Sequence, residues 1–333
     1  MRFGPVPLAE AEGAILAHSV PLGDRQRMRK GKVLGSDDIA MLAAAGLSEV
    51  LVARLDPGDV DEDSAASRLA RAIVPAPEGT GLRLGPAARG RVNLIANGPG
   101  VLEVDAAAID AINAVDEGIT VATLPRWARV EEGRLAATIK IIPYAVPGAA
   151  LAQAEARAAG ALRVHGPRRR RVRLIVTGSA AAADVPPAVE ERILRLGAHL
   201  AGSDATPHAA SPLSEALSRA EADMVVILSD TATSDVHDVV PQAIRDAGGQ
   251  VLRYGMPVDP GNLLVLGELG AMPVLGLPGC AKSIALNGAD WVLERLVCGV
   301  PVTADDIAAM GVGGLLKEVP VRPAPRRGAA TSD

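Results

Sequence analysis

The chain has 333 residues, 49 % of them hydrophobic but only 2 % aromatic, and a formal net charge of −5. That length fits two or three domains, with cores built from Ala, Val, Leu and Ile rather than rings. The net acidity argues against a general polyanion binder, and the shortage of aromatics against a stacking platform for nucleic acid. Two cysteines, Cys280 and Cys298, are too few for a disulfide framework, and neither C-x-x-C nor a zinc-type histidine spacing occurs. With no cationic-then-apolar leader and no run of transmembrane length, the expectation is a soluble, cytoplasmic protein without membrane or nucleic-acid partners.

Residues 1–73 read as a small mixed α/β region. AILAHSVPL is a strand, Ser36 caps a helix from Asp37 to Ala45 with Gly46 as the stop, and EVLVARL is a second strand. Asp59, Glu62 and Asp63 form an acidic start to an amphipathic helix around Ala65 to Ile73. The Pro- and Gly-rich segment from Val74 to Leu84 marks a boundary. Residues 74–165 read as a second mixed α/β region: RVNLIA as a strand, AAAIDAINAVD as a helix, and GITVATLPRWARV with RLAATIKIIPYAV as a hairpin turning at Glu131–Gly133. Arg168 to Arg171 and Arg173 then read as a solvated connector, with a phosphate-steering patch as the alternative.

Residues 172–312 carry the clearest pattern. VRLIVTGS, MVVILSD, VLRYG, LLVLGEL and PVLGL read as strands. VEERILRLGAHL places Val189, Ile193, Leu196 and Leu200 on one helical face, and further helices are expected around Leu213–Ala220 and Val239–Ala247. Leu286, Ala289, Leu293 and Leu296 line a last helix ended by Gly299 and Pro301. The alternation predicts a three-layer, doubly wound, mainly parallel α/β sheet, whose ligands bind at the carboxyl ends of strands. Residues 313–333 form a Pro/Arg-rich tail.

Three strand-end loops carry small hydroxyl or glycine residues able to converge on phosphate oxygens. They are Thr177-Gly178-Ser179; Ser229 to Asp235, running on to Asp238; and Met256 to Asn287, with Pro260-Gly261 and Gly276-Leu277-Pro278-Gly279-Cys280-Ala281-Lys282-Ser283. With these residues, the C-terminal domain resembles the molybdopterin-binding fold of molybdopterin adenylyltransferases and molybdotransferases. That family shows a strand followed by T-G, a Gly-Gly-Thr/Ser loop closing on an aspartate, then P-G and G-L-P-G-x-x-x-S. GAILAHSV, KGKVLGSDDIAMLAAAGLSEVLVARL and ATIKIIPYAV extend the resemblance over most of residues 8–310. GMPVDPGNLLVLGELG and PVLGLPGCAKS are most similar to a subfamily often fused to a molybdenum-cofactor cytidylyltransferase domain.

The resemblance implies a cofactor-biosynthesis protein that binds molybdopterin or its nucleotide form. Its phosphate would rest on Thr177, Gly178 and Ser179 and on Ser229, Thr231, Thr233 and Ser234. Pro260, Gly261 and Asn262 with Pro278, Gly279, Cys280, Lys282 and Ser283 would hold the rest. Asp238 and Asp235 would be the catalytic carboxylates and Mg²⁺ ligands of a transferase acting with molybdate and ATP or CTP. The alternative is a carrier that serves a separate cytidylyltransferase or molybdoenzyme, and a homo-oligomer is implied for either. Asp230 stands where the family has glycine, and Asn262 where a lysine is common, leaving Lys282 to supply positive charge by position. Each residue also has a plainer reading: Asp238 as a helix N-cap, Asp259 as a turn former, Cys280 as a small residue filling a turn, and His237 as a surface side chain.

Overall fold

The computed structural model describes residues 1–23, 26–178 and 185–316. The chain divides into two compact units, Met1–Gly166 and Pro167 onward.

The N-terminal unit holds two apolar cores. In the first, the strands Arg2–Pro7, Glu49–Arg54 and Ile15–Leu16 pair antiparallel and enclose Leu8, Leu16, Leu34, Leu42, Val50 and Val52. The helix Ser36–Ala44 has Gly35, not Ser36, at its N-cap position, because the Asp38 carboxylate reaches back to the Gly35 amide at 3.1 Å. AILAHSVPL is two short strands, Ile15–Leu16 and Val20–Pro21, rather than one, and the second pairs with Arg27–Met28.

The second core is larger. The helix Glu62–Ile73 is capped by Asp61 and packs Ala65, Leu69 and Ile73 among the strands Arg91–Ala96, Leu135–Ile141 and Ile119–Thr123. The expected hairpin is only half present. Ile119–Thr123 does pair with Leu135–Ile141, whereas Ala128–Val130 leaves and pairs with Gly100–Val104. Pro125, lacking an amide hydrogen, and Trp127, at φ +64°, break the strand between the two pieces.

In the C-terminal unit one sheet sets the architecture. We label its strands β1 (Arg171–Thr177), β2 (His199–Thr206), β3 (Met224–Leu228), β4 (Gln250–Tyr254), β5 (Val265–Leu269) and β6 (Met272–Leu277). The helices are α1 (Pro187–Leu194), α2 (Ala210–Ser218), α3 (Val239–Asp246) and α4 (Gly288–Val297). Strand order is β2-β1-β3-β6-β5-β4, with β2, β1, β3 and β6 parallel and the β6-β5-β4 edge antiparallel. Alternate side chains feed the two faces. Leu174, Val226 and Leu275 pack under α1 and α4, while Ile175, Val225, Ile227 and Val274 pack under α2 and α3. The fold is thus the three-layer α/β arrangement that the strand–helix alternation predicts.

Two boundaries differ from expectation. Leu200 lies in β2, not on the helical face, because α1 ends at Leu194 and Gly197 turns the chain at φ +75°. Leu286 precedes α4 and is 51 % exposed, since Asn287 caps the helix behind it.

Candidate functional site

Sheet topology places a crevice before any side chain is considered. From β1 the chain runs through α1 to β2 on one side, and β3 lies on the other side of β1. The helices that follow β1 and β3, α1 and α3, cover opposite faces. Between two such strands the connections diverge and leave an opening at the carboxyl ends, the usual place for a ligand in open α/β sheets. Thr177-Gly178 ends β1 and Ser229-Asp230 follows β3, so the first two predicted loops flank this opening. Ser179 lies outside the described residues.

The two loops are tied together by a residue the sequence reading passed over. His208, just beyond β2, places Nδ1 2.8 Å from Thr177 Oγ1 and Nε2 2.8 Å from Thr231 Oγ1. The ring thus bridges the two hydroxyls, one on each nitrogen, with the direction of each hydrogen bond set by the tautomer. Thr177, only 1 % exposed, also accepts from the Asp230 amide at 3.1 Å, which occupies its hydroxyl inside the protein. Gly178 sits at φ +138°, and a Cβ there would lie 3.1 Å from Asp230 Cγ, a separation only glycine leaves comfortable. Ser229 and Thr233 are buried, while Asp230, Thr231 and Ser234 are exposed at the rim.

Asp238 and Asp235 close the second loop. Asp238 Oδ1 accepts from the Val239 amide at 2.7 Å and Oδ2 from the Ser234 amide at 3.0 Å. Those amides, Ser234 first, hold the Asp238 carboxyl below the usual carboxylate range, and His208 contributes in the same direction. Asp238 is therefore the N-cap of α3 and an anion facing the His208 cluster. Asp235 Oδ1 accepts from the His237 amide at 2.8 Å, and both Asp235 and His237 are exposed. Among the described residues no group of three or more His, Cys, Asp or Glu is placed to hold a metal ion. Mg²⁺ commonly takes only one or two protein carboxylates and keeps its waters, a demand that Asp235 and Asp238 meet by donor type.

The third loop adjoins the second, since Leu228 and Leu277 are register partners on neighbouring strands. After β6 the chain forms a 3₁₀ turn over Gly279–Lys282, which opens with the Gly279 and Cys280 amides ahead of its first internal hydrogen bond. The Pro260-Gly261 turn lies against the start of α4: the Gly288 amide donates to Pro260 O at 2.8 Å, and Asn262 Nδ2 donates to Met256 O at 3.3 Å. A Cβ on Gly261, at φ +140°, would fall 2.7 Å from Gly288 N. The first amides of α4 are all engaged: Gly288 by Pro260 O, Ala289 by Asn287 Oδ1 and Asp290 by Asn287 O. An anion at this loop must therefore meet the Gly279–Cys280 turn and Lys282 rather than the helix end. Asn287 is fully buried, and its Nδ2 has no hydrogen-bond partner among the described residues.

A second residue missed in sequence reading anchors this loop. Arg192 on α1, 2 % exposed, donates Nε to Asp290 Oδ1 at 2.6 Å, Nη1 to Ala281 O at 2.9 Å and Nη2 to Ala285 O at 2.8 Å. Its only sequence signal is a charge set between the apolar positions Val189 and Ile193 of an amphipathic helix. Partial burial pushes the Cys280 thiol up, with Asp259 and Asp290 adding to the shift and Arg192 opposing it, so the group stays a neutral thiol. Lys282 and Ser283 are exposed, and Ser283 Oγ accepts from the Ala285 amide at 3.2 Å.

The arginine run does not belong to the site. Arg169 donates to Leu296 O at 2.6 Å, Arg171 to Glu221 O at 2.9 Å, and Arg173 forms a two-point pair with Asp204 at 2.6 and 2.8 Å. No helix among the described residues is long and apolar enough to cross a membrane.

A family model described as a domain of unknown function (DUF8806) matches residues 5–54. No curated protein matches the chain. Among solved structures, the chain is similar to the molybdopterin biosynthesis moea protein from Pyrococcus horikosii, at 16 % identity and TM-score 0.32, over 90 % of this chain and 75 % of that one. It is similar to a molybdenum cofactor biosynthesis protein from Pyrococcus furiosus at 12 % identity and TM-score 0.25, over 90 % and 66 % of the two chains. It is also similar to a molybdopterin biosynthesis protein from Mycobacterium abscessus at 18 % identity and TM-score 0.28, over 40 % of this chain and 94 % of that one. Likenesses at this level do not assign a ligand to the crevice.

Proposed function

We propose that the C-terminal unit binds molybdopterin, or its nucleotide form, in the crevice between β1 and β3, and that the protein serves molybdenum-cofactor biosynthesis. The observation that carries this reading is the meeting of three loops at one sheet edge, in the order and wording that resemble the molybdopterin-binding fold. The rim hydroxyls of Thr231 and Ser234 and the Gly279–Cys280 amides supply donors for the phosphate, with Lys282 as the nearest cation on the third loop. Thr177, Gly178 and His208 set the spacing of the first two loops, and Pro260, Gly261 and Asn262 set the third against α4.

Two readings of the chemistry follow. As a transferase, the protein would use Asp238 and Asp235 to hold Mg²⁺, which supplies charge neutralisation at the phosphate during molybdate insertion or nucleotidyl transfer from ATP or CTP. As a carrier, it would present the bound cofactor to a separate cytidylyltransferase or molybdoenzyme. The carrier is favoured by the engagement of both Asp238 oxygens with backbone amides and by Asp230 in place of a glycine at the crevice wall. Incubating the full chain with molybdopterin, molybdate, Mg²⁺ and ATP or CTP separates the two. Tight binding without turnover supports the carrier, and turnover lost in Asp238→Ala supports the transferase. Failure to bind molybdopterin at all removes both.

A further inference from the structure

The N-terminal unit contains a cleft of about 780 Å³, lined by Arg27, Arg29, Lys30, Arg89, Arg91 and Lys140. That volume falls inside the range of roughly 300–1,000 Å³ usual for small-molecule sites. The one carboxylate in the lining is Glu62, and Tyr144 and the 59 % exposed Ile142 give it an apolar side. In a chain whose net charge is −5, six cations facing one carboxylate is a segregation of charge rather than an average surface.

These cations come from three chain segments, each fixed in place. Arg27 lies in the short strand paired with Val20–Pro21, and the turn that follows is pinned where the Lys30 amide donates to Ser19 Oγ at 3.0 Å and the Gly31 amide to Leu16 O at 2.8 Å. Arg89 lies within, and Arg91 closes, a tight turn whose ends are joined by the reciprocal hydrogen bonds of Ala88 and Arg91, at 3.0 and 3.1 Å. Arg89 holds φ +54° and Gly90 φ +70°, the left-handed pair of a two-residue hairpin turn. Glycine is required at the second position, because a Cβ on Gly90 would meet Ile141 O at 2.6 Å. Arginine at the first position is a conformational cost that local turn preference does not ask for. Lys140 is spent on structure, since its Nζ donates to Arg89 O and lies 3.6 Å from Glu62 Oε2. The side chains of Arg27, Arg29, Lys30, Arg89 and Arg91 make no ion pair or hydrogen bond among the described residues, so five cations line the cleft unpaired, with Glu62 in the lining and Asp63, which accepts from the Gly90 amide at 2.6 Å, as the carboxylates beside them.

We propose that this cleft binds a nucleoside polyphosphate, with the phosphates on the arginine side chains and the nucleoside against Ile142 and Tyr144. Guanidinium groups present paired donors that match phosphate oxygens. A concave site with an apolar wall selects a small molecule over an extended polymer. The inference goes beyond the reading of the C-terminal crevice, because none of its residues takes part in that reading.

Calorimetric titration of the full chain with ATP, inorganic pyrophosphate and adenosine, at low and at physiological salt, tests the proposal. Saturable ATP binding is expected, weakened by salt, with pyrophosphate competing and adenosine alone failing to bind. The double variant Arg89→Gln/Arg91→Gln should weaken ATP binding about tenfold or more, the effect of losing one or two charge-assisted contacts. Arg29→Gln/Lys30→Gln, which leaves the hairpin turn intact, should do the same if the first pair fails to fold. Arg83→Gln, on the exposed edge outside the cleft, should change nothing. Absence of saturable ATP binding overturns the proposal. So does binding that survives both double variants but is lost in Thr231→Val/Lys282→Gln, which would locate the nucleotide in the C-terminal crevice. Tighter binding of a single-stranded oligonucleotide, or of phosphatidylserine vesicles, than of ATP also overturns it. Because the cleft variants leave molybdopterin binding untouched, failure here and failure of the crevice reading are separately visible.

Discussion

Asp238 shows how one side chain carries a structural role that is measurable apart from any chemistry. Asp238→Ala removes an N-cap and should cost about 1 kcal/mol of stability, read as a lower urea midpoint. The two amides hold its folded-state pKa below the unfolded value of about 3.9. A depressed carboxyl stabilises the fold in full above the unfolded value, and that contribution is lost as pH falls through the folded one. The gap between wild type and Asp238→Ala should therefore be open at pH 7 and narrow as pH falls below the unfolded value, by urea melts at each pH. Arg192 is the more severe case. Arg192→Ala removes the buried partner of Asp290, which keeps only the 23 % exposed Arg195 and the Asn287 amide, and should cost about 3 kcal/mol in the same assay. Asp238 was legible because a carboxylate before an apolar helix is a local signal. His208 and Arg192 were not, since each acts on partners far away in sequence, at Thr177 and Asp290, that only the folded sheet brings near.

At the level of elements, the loops separate into rigid and open glycines. Gly261→Ala puts a Cβ 2.7 Å from the Gly288 nitrogen at a φ that L-residues avoid, and should destabilise by about 1–3 kcal/mol. Gly279→Ala meets nothing within 4 Å and carries no positive φ, so stability should stay within about 0.5 kcal/mol of wild type. Any loss of molybdopterin affinity in Gly279→Ala then reports crowding of the ligand, by melting and binding measured on the same sample. The buried strands of the central sheet were readable as apolar runs of Val, Leu and Ile. β2 was not, because an edge strand reading HLAGSDAT alternates polar residues and carries Gly202 at φ +152°, which offers no apolar run to count.

Across the whole molecule, the C-terminal fold was legible and most of the N-terminal pairing was not. Strand–helix alternation specifies a doubly wound sheet through its periodicity switches. The N-terminal unit instead uses strands of two or three residues, such as Val20–Pro21 and Ala128–Val130, which are too short to show a period. Each unit has its own apolar cores, so residues 167–316 should fold alone. The expected result is a cooperative circular-dichroism melt and protected amides in β1, β3 and β6 by hydrogen exchange; a fragment without protection would show that the sheet depends on the N-terminal unit.

The two cysteines differ in a way that gives the site a natural reporter. Cys298 is buried, while Cys280 is exposed on the third loop. A maleimide dye should therefore modify one position per chain, at the mouth of the crevice, without any engineered cysteine. Because its thiol is held neutral, labelling should be slow at neutral pH and quicken in alkali. Any molecule that settles on the Gly279–Lys282 turn would then announce itself as protection from the dye.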